Sequence, residues 1–311
     1  MSKECDCRTF LRDSLAASTG LGLSASGGVF AETSAQATGP SKTTIPQRPL
    51  GKTGCQVTIY GLGGLFTVSM HDRHDEAVAI VNRAIDLGIN YIDTSAFYGT
   101  GASELNIGTV MKKRRNEVFL ASKSHNYTYD GTMALFDQSL KRLQTDHIDL
   151  YQHHLLGGLG KLEQLQQKHS AREAFERLRA QGAIRYIGVT GHSSRVLADA
   201  LEDYPYDCAL ITLNAAQAVM DNPEDLDRFF RVAKAKEVGV IAMKVVARGA
   251  LIKQGLGIRQ LLPYVLSFPV STAIVGISTV SHLEENVRVA CAFNKPLSEK
   301  EMVEIRAAAR S

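Results

Sequence analysis

Phe119-Leu-Ala-Ser-Lys123 is an apolar, strand-like run that ends on a charged amine. The run before it, Asn90-Tyr-Ile, ends on Asp93, with Tyr98 five residues further on, and the run after it ends on His154. An acid, a phenol, an amine and an imidazole therefore fall just past the ends of successive strand-like runs. In a parallel α/β barrel those ends converge on one mouth, the face where such barrels carry their chemistry.

Outward from this stretch the same alternation covers most of the chain. Apolar runs at 59–66, 90–94, 118–123, 148–154, 185–190, 209–214, 238–244 and 272–277 read as eight strands. Amphipathic runs at 75–87, 103–113, 132–143, 171–180, 195–202, 226–236 and 259–266 read as the helices between them. Two more, 282–292 and 299–309, follow the last strand. Helix-like runs end near Gly88, Gly182 and Gly239, as left-handed helix ends prefer. Continuous apolar strands alternating with helices imply a parallel sheet covered on its outer face. Eight such units predict an α/β fold of the (β/α)8 TIM barrel type. The rival, a doubly wound dinucleotide-binding sheet, needs G-x-G-x-x-G. Gly61-Leu-Gly63-Gly64-Leu-Phe66 puts phenylalanine at the third glycine. Leu50-Gly-Lys-Thr-Gly-Cys-Gln-Val57 reads as a short hairpin closing the bottom of the barrel.

Composition narrows the function classes. The 311 residues are 44% hydrophobic and 22% charged, an ordinary globular balance, and the net charge of +3 gives no electrostatic footprint for nucleic acid. The densest basic run, Lys112-Lys-Arg-Arg115, reads as a solvated helix end. Five cysteines, at 5, 7, 55, 208 and 291, are odd in number and form no disulfide framework. Cys5 and Cys7 lack the second pair of ligands that a metal site needs, so no metal is expected.

Residues 1–37 read as a signal-like leader: basic residues at Lys3, Arg8 and Arg12, a mildly apolar stretch rich in Ala, Gly and Ser, then the small-x-small site Ala35-Gln-Ala37. Arg8-Thr-Phe-Leu-Arg12 resembles the second half of a twin-arginine signal peptide motif, with Cys7 where the first arginine belongs. The expectation is export to the periplasm, with a cytoplasmic protein carrying a flexible N-terminal leader as the alternative. The apolar stretch is too polar for a membrane span. A proline-marked linker follows at 38–47 and the barrel runs from 48 to 311.

The four strand-end residues also make sense as chemistry. A lysine ending an apolar strand needs a partner if buried, and Asp93 is one strand away. A tyrosine ordinarily loses its proton near pH 10, and a neighbouring ammonium lowers that value. Lys123 is thus expected to tune Tyr98, Asp93 to hold Lys123, and His154 to hydrogen-bond a substrate carbonyl. Each residue alone also fits a structural role: an ion pair, a loop aromatic, a satisfied core histidine.

The segments Asn90-Tyr-Ile-Asp-Thr-Ser-Ala-Phe-Tyr-Gly99, Phe119-Leu-Ala-Ser-Lys123, Asp146-His-Ile-Asp-Leu-Tyr-Gln-His-His154, Ile184-Arg-Tyr-Ile-Gly-Val-Thr-Gly191 and Ile274-Val-Gly-Ile-Ser-Thr-Val-Ser-His-Leu-Glu-Glu-Asn286 together resemble the aldo-keto reductase superfamily. The resemblance spans the whole barrel. It implies an oxidoreductase that reduces an aldehyde or ketone with NADPH, with NADH possible, and a catalytic set of Tyr98, Lys123, His154 and Asp93. His153 competes for the histidine role, but strand alternation lets only one of two neighbours face the mouth. The resemblance further implies that Thr190, with His192 beside it, and Asn214 hold the nicotinamide. It implies that the loop containing Lys244, Arg248 and Gly249 wraps the pyrophosphate, and that Gly276, Ser278, His282, Glu285 and Asn286 hold the adenosine end. His282 stands where relatives that prefer NADPH place Lys or Arg, which leaves the choice between NADPH and NADH open. Phe66, Phe97 and His125 sit at other strand ends and are expected to line the substrate pocket. The expected partner is a small carbonyl compound. A cofactor-binding regulatory subunit and a metal-dependent hydrolase are the competing classes, the latter without a visible ligand cluster.

Overall fold

The computed structural model describes residues 44–311 apart from 159. Eight parallel strands close into a barrel: β3 (Tyr60–Phe66), β4 (Tyr91–Asp93), β5 (Phe119–Ser124), β6 (Ile148–Leu156), β7 (Ile184–Gly191), β8 (Cys208–Thr212), β9 (Gly239–Met243) and β10 (Thr272–Ile277), with β10 returning to pair with β3. They follow the eight expected runs within a few residues at either end. Upstream, β1 (Gln47–Pro49) and β2 (Gln56–Thr58) pair antiparallel as the expected hairpin.

Alternation along each strand divides the apolar side chains into two cores. Inside the barrel, Tyr91, Phe119, Leu150, Leu210, Ile241 and Ile274 form one cluster, and the hairpin's Leu50 and Val57 join it. Tyr91 stacks on Phe119 at 5.6 Å and Phe119 on Tyr186 at 5.9 Å, filling the floor with rings. Arg48 fastens the hairpin to the rim, donating to the carbonyls of Val270 (2.7 Å) and Leu266 (2.9 Å). The other ends of the strands are left as the open mouth.

Outside, the helices bury their apolar faces against the strands. They are α1 (His74–Asp86), α2 (Ala102–Arg114), α3 (Tyr129–Leu143), α4 (Leu162–Gln166), α5 (Ala171–Ala180), α6 (Ser194–Asp203), α7 (Leu226–Ala235), α8 (Ala250–Lys253), α9 (Ile258–Leu266), α10 (Val280–Ala292) and α11 (Glu299–Arg310). Two of them, α4 and α8, are short helices inside connections that the periodicity did not reveal, because four or five residues hold barely one turn. α3 begins three residues early, since Thr128 caps it by accepting from the Gly131 N–H. The basic run at the end of α2 is partly spent on ion pairs: Arg114 with Asp86 and Glu117, Arg115 with Asp149.

The expected leader, residues 1–37, and the linker through residue 43 lie outside the described residues. Among the described residues no helix is long and apolar enough to cross a membrane.

His153 shows what the outer core costs. It is fully buried, stacked on Phe175 at 4.1 Å, and neither ring nitrogen has a hydrogen-bond partner among the described residues. Burial, then the nearby Arg172, push its imidazole down to about 3. The folded chain therefore holds it neutral, so its contribution is intact above the unfolded value of about 6.5 and is lost as pH falls toward 3. From this group alone, stability should drop by about 2 kcal/mol between pH 7 and pH 5. Urea melts at the two pH values check this: the acid-side loss should shrink in His153→Leu, and an equal loss in both proteins would contradict it.

Candidate active site

The mouth holds a cavity of about 470 Å³. Asp93, the last residue of β4, lies opposite Gly63 of β3 and Ala121 of β5, so Lys123 projects two residues beyond it on the adjacent strand. The Lys123 ammonium is fully buried and donates to Asp93 Oδ1 at 2.5 Å and to the Thr94 carbonyl at 2.6 Å. Gln152 donates to the other Asp93 oxygen at 3.4 Å. Burial works against the ammonium, but Asp93 and Tyr98 outweigh it and raise the Lys123 value. Burial in turn outweighs Lys123 at Asp93 and leaves that carboxyl raised.

Tyr98 reaches the same point from the loop after β4. Lys123 Nζ stands 4.7 Å from the centre of its ring. Gly99 adopts a left-handed backbone (φ 56°), and a Cβ there would run into the Ser69 carbonyl, so this turn needs glycine. Here the structure corrects the sequence reading. The ammonium does pull the Tyr98 phenol down, but burial pushes it up by more, and Asp93 adds to the rise, so the phenol stands above its ordinary value. It is protonated at neutral pH.

His154 lines the cavity, whereas its neighbour His153 faces the helices. Its ring lies edge-on to Tyr98 at 5.7 Å and to Phe97 at 6.0 Å. Burial, followed by Lys123, holds its imidazole well below the usual range, so it is neutral. Ser95 Oγ lies 3.1 Å from His154 Nδ1 and accepts from the Phe97 N–H at 3.1 Å. Sequence reasoning passed over both Ser95 and Gln152. Ser95 sits two residues past Asp93, and Gln152 two before His154, so the alternation rule could have flagged them.

Of the remaining expected residues, Phe66, Phe97, Thr190, His192, Lys244, Arg248 and Gly276 line the cavity. Thr190 Oγ1 accepts from the Leu155 N–H (3.0 Å), and His192 Nδ1 lies 2.5 Å from Thr212 Oγ1. His125 stands behind Phe97, ring to ring at 5.4 Å. Gly249, Ser278, His282, Glu285, Asn214 and Asn286 do not border the cavity. The Asn214 amide is spent on its own loop, donating to the Ala218 carbonyl and accepting from the Ala218 N–H. Asn286 donates to the Tyr60 hydroxyl at 3.1 Å, and Glu285 pairs with Arg259 at 3.4 Å. The lining also includes backbone and apolar groups that carry no chemical signature in sequence: Gly63, Gly64, Met243, Val245 and Ile274 among them. A Cβ at Gly64 would meet Ser103 Oγ at 2.5 Å and the Asp93 carbonyl at 2.7 Å, so the floor beside Asp93 is kept bare by packing.

A flat dinucleotide fits what is present. The cavity lining combines bare backbone at Gly63 and Gly276 with hydroxyl and imidazole groups at Thr190 and His192 and cations at Lys244 and Arg248. Among the described residues no group of three His, Cys, Asp or Glu side chains is placed to hold a metal ion.

Comparison with known proteins agrees with this geometry. A family model described as the Aldo/keto reductase family matches residues 59–261. The chain is 27% identical to YqkF, an uncharacterized oxidoreductase of Bacillus subtilis, across 82% of this chain and 94% of that one. It is 30% identical to the L-galactose dehydrogenase of Arabidopsis thaliana, across 79% of this chain and 88% of that one. Among solved structures, an aldo-keto reductase of Bacillus halodurans in its holo form superposes with a TM-score of 0.70 at 25% identity, covering 85% of this chain and 96% of that one. The chain belongs to the aldo/keto reductase family and is an NAD(P)H-dependent oxidoreductase acting on carbonyl or alcohol groups.

Proposed function

We propose that the chain reduces an aldehyde or ketone to an alcohol, with Tyr98 as the general acid and NADPH, or NADH, as the hydride source. The observation that carries this reading is the buried ammonium of Lys123 against the Tyr98 ring, with Asp93 as its counter-ion. When bound in the cleft, a reduced nicotinamide would supply a hydride to the carbonyl carbon. Thr190 and His192, which border the cavity, would hold that ring, and Lys244 and Arg248 would hold its phosphates.

Tyr98 gives its proton to the carbonyl oxygen as negative charge develops there. A phenol held above its ordinary value keeps that proton until the reaction calls for it. Lys123 then stabilises the phenolate that remains, and solvent returns the proton. Neutral His154 donates a hydrogen bond to the same oxygen from Nε2, which requires Nδ1 to be the acceptor. Ser95 Oγ, 3.1 Å from Nδ1 and already accepting from the Phe97 N–H, has a hydroxyl proton to donate there, which would fix this tautomer. Phe66 and Phe97, 42% and 52% exposed, flank the entrance and shield the reacting groups from water. Asp93 acts through Lys123, keeping the ammonium charged in a site that would otherwise neutralise it.

Tyr98→Phe should lose roughly 10²- to 10⁴-fold in kcat with any carbonyl substrate, the usual worth of general acid catalysis. The same variant should bind NADPH within about 2-fold of the parent by fluorescence titration, since losing a hydroxyl that makes no hydrogen bond to the cofactor costs at most about 0.5 kcal/mol, the low end for a net hydrogen bond. Full turnover in Tyr98→Phe would remove the phenol from the mechanism. Tight cofactor binding by the parent chain without oxidation by any aldehyde, ketone or quinone would point to a binding subunit instead.

Ser95→Ala tests the histidine's tautomer. Losing one positioning hydrogen bond should lower kcat/KM by roughly 3- to 10-fold and leave the thermal midpoint almost unmoved. Unchanged kinetics would mean that His154 needs no such orientation.

A further inference from the structure

Glu104 is a fully buried carboxylate that does not border the cavity. It stands in the first turn of α2, the helix that follows the Tyr98 turn. Ser122 Oγ donates to its Oε1 at 2.7 Å, and Arg142, in the last turn of α3, reaches Oε2 with Nη1 at 3.4 Å. A buried carboxylate needs such partners, and each charge sits at the helix end that favours it. Burial still holds the Glu104 carboxyl above its ordinary value, against the pull of Ser122 and Arg142.

This carboxylate links three parts of the mouth. Ser122 is the neighbour of Lys123 on β5. Arg142 packs on Gly101: a Cβ there would come within 2.8 Å of both Cζ and Nε, so the guanidinium fills the space a side chain would take. Gly101 ends the turn that carries Tyr98, a run of three left-handed residues, Gly99 (φ 56°), Thr100 (φ 52°) and Gly101 (φ 97°). A β-branched residue in that region is an outlier, and such a backbone persists only where its surroundings hold it. The Ser69 carbonyl closes on one end of the run, at Gly99, and the Arg142 guanidinium on the other. Arg142 is partly exposed and also donates to Gln138 on its own helix, so Glu104 is what draws it across to α2.

We propose that Glu104 and Arg142 are a positioning pair for Tyr98: Arg142 braces the turn that presents the phenol, and Glu104 holds Arg142 on Gly101 while tying α2 to the strand of Lys123. Neither borders the cavity. They fix the distance between phenol and ammonium from both sides, through Gly101 on the Tyr98 turn and Ser122 on the Lys123 strand. The pair's effect on turnover rests on the reductase reading above, and its effect on geometry does not.

Glu104→Gln tests the pair with little change in shape. The amide can still accept from Ser122 but makes no ion pair, so Arg142 can turn to solvent. With 4-nitrobenzaldehyde and NADPH, kcat should fall on the order of 10-fold, since a slightly misplaced acid costs turnover rather than binding. NADPH affinity should stay within about 2-fold and the thermal midpoint within a few degrees. Arg142→Lys keeps a cation beside Glu104 but has no planar group to lay on Gly101, so it should hold the midpoint and share the loss in kcat. The readout that a merely structural role would not move is the Tyr98 ring, titrated by NMR in carbon-13 tyrosine-labelled protein. Removing a negative charge would by itself lower the pH at which the phenol ionises. Drift of Tyr98 away from the Lys123 ammonium would raise it, and a rise is the result expected in Glu104→Gln. A lower or unchanged ionisation pH overturns the proposal, whatever the kinetics. A raised ionisation pH in a chain that reduces no aldehyde would keep the positioning pair and sink the reductase reading instead.

Discussion

A buried ammonium is costly, and this fold is arranged around one. Lys123 lies fully inside the protein with Asp93 and the Thr94 carbonyl as its acceptors. Such a pair adds little net stability, because desolvation consumes most of the attraction, yet removing either partner strands a charge at a cost of about 3–5 kcal/mol. Its value lies in the field it creates. The same ammonium pulls on the Tyr98 phenol and helps to keep His154 neutral. Together with Lys244 it leaves the cavity short of negative charge.

The barrel supplies what that field needs, which is rigidity. Asp93, Lys123 and His154 sit on adjacent strands whose register is fixed by hydrogen bonds. Tyr98 comes from a loop, and the loop is held by Gly99 against the Ser69 carbonyl and by the Tyr98 N–H donating to the Ser95 carbonyl at 3.0 Å. Ser95 therefore serves two members of the site, through its backbone and its side chain. Small residues at Gly63 and Gly64 keep the adjoining wall open enough for a ligand to lie flat against backbone.

The barrel could be read from the chain because its signal is periodic: eight apolar runs spaced by amphipathic ones leave few alternatives. The four mouth residues were legible for the same reason, since a polar group at the end of an apolar run stands out. What the chain does not show in advance obeys different physics. The partners that the fold gives Asn214 and Asn286, the Ala218 backbone and the Tyr60 hydroxyl, come from loop closure and tertiary packing, which no motif records. The net direction at Tyr98 depends on how much water the fold removes, and burial has no sequence signature. Met243, Val245 and Ile274 line the cavity as ordinary core residues do elsewhere, so chemistry alone could not mark them.

The coupling between Lys123 and Tyr98 underlies the chemistry of the mouth, and it can be observed without substrate. Carbon-13 labelled tyrosine, assigned with the Tyr98→Phe protein, lets the Tyr98 ring be titrated by NMR in the parent chain and in Lys123→Met. The phenol should ionise at a higher pH once the ammonium is gone, by about one unit or more for an opposite charge at this range. An identical titration in the two proteins would contradict it.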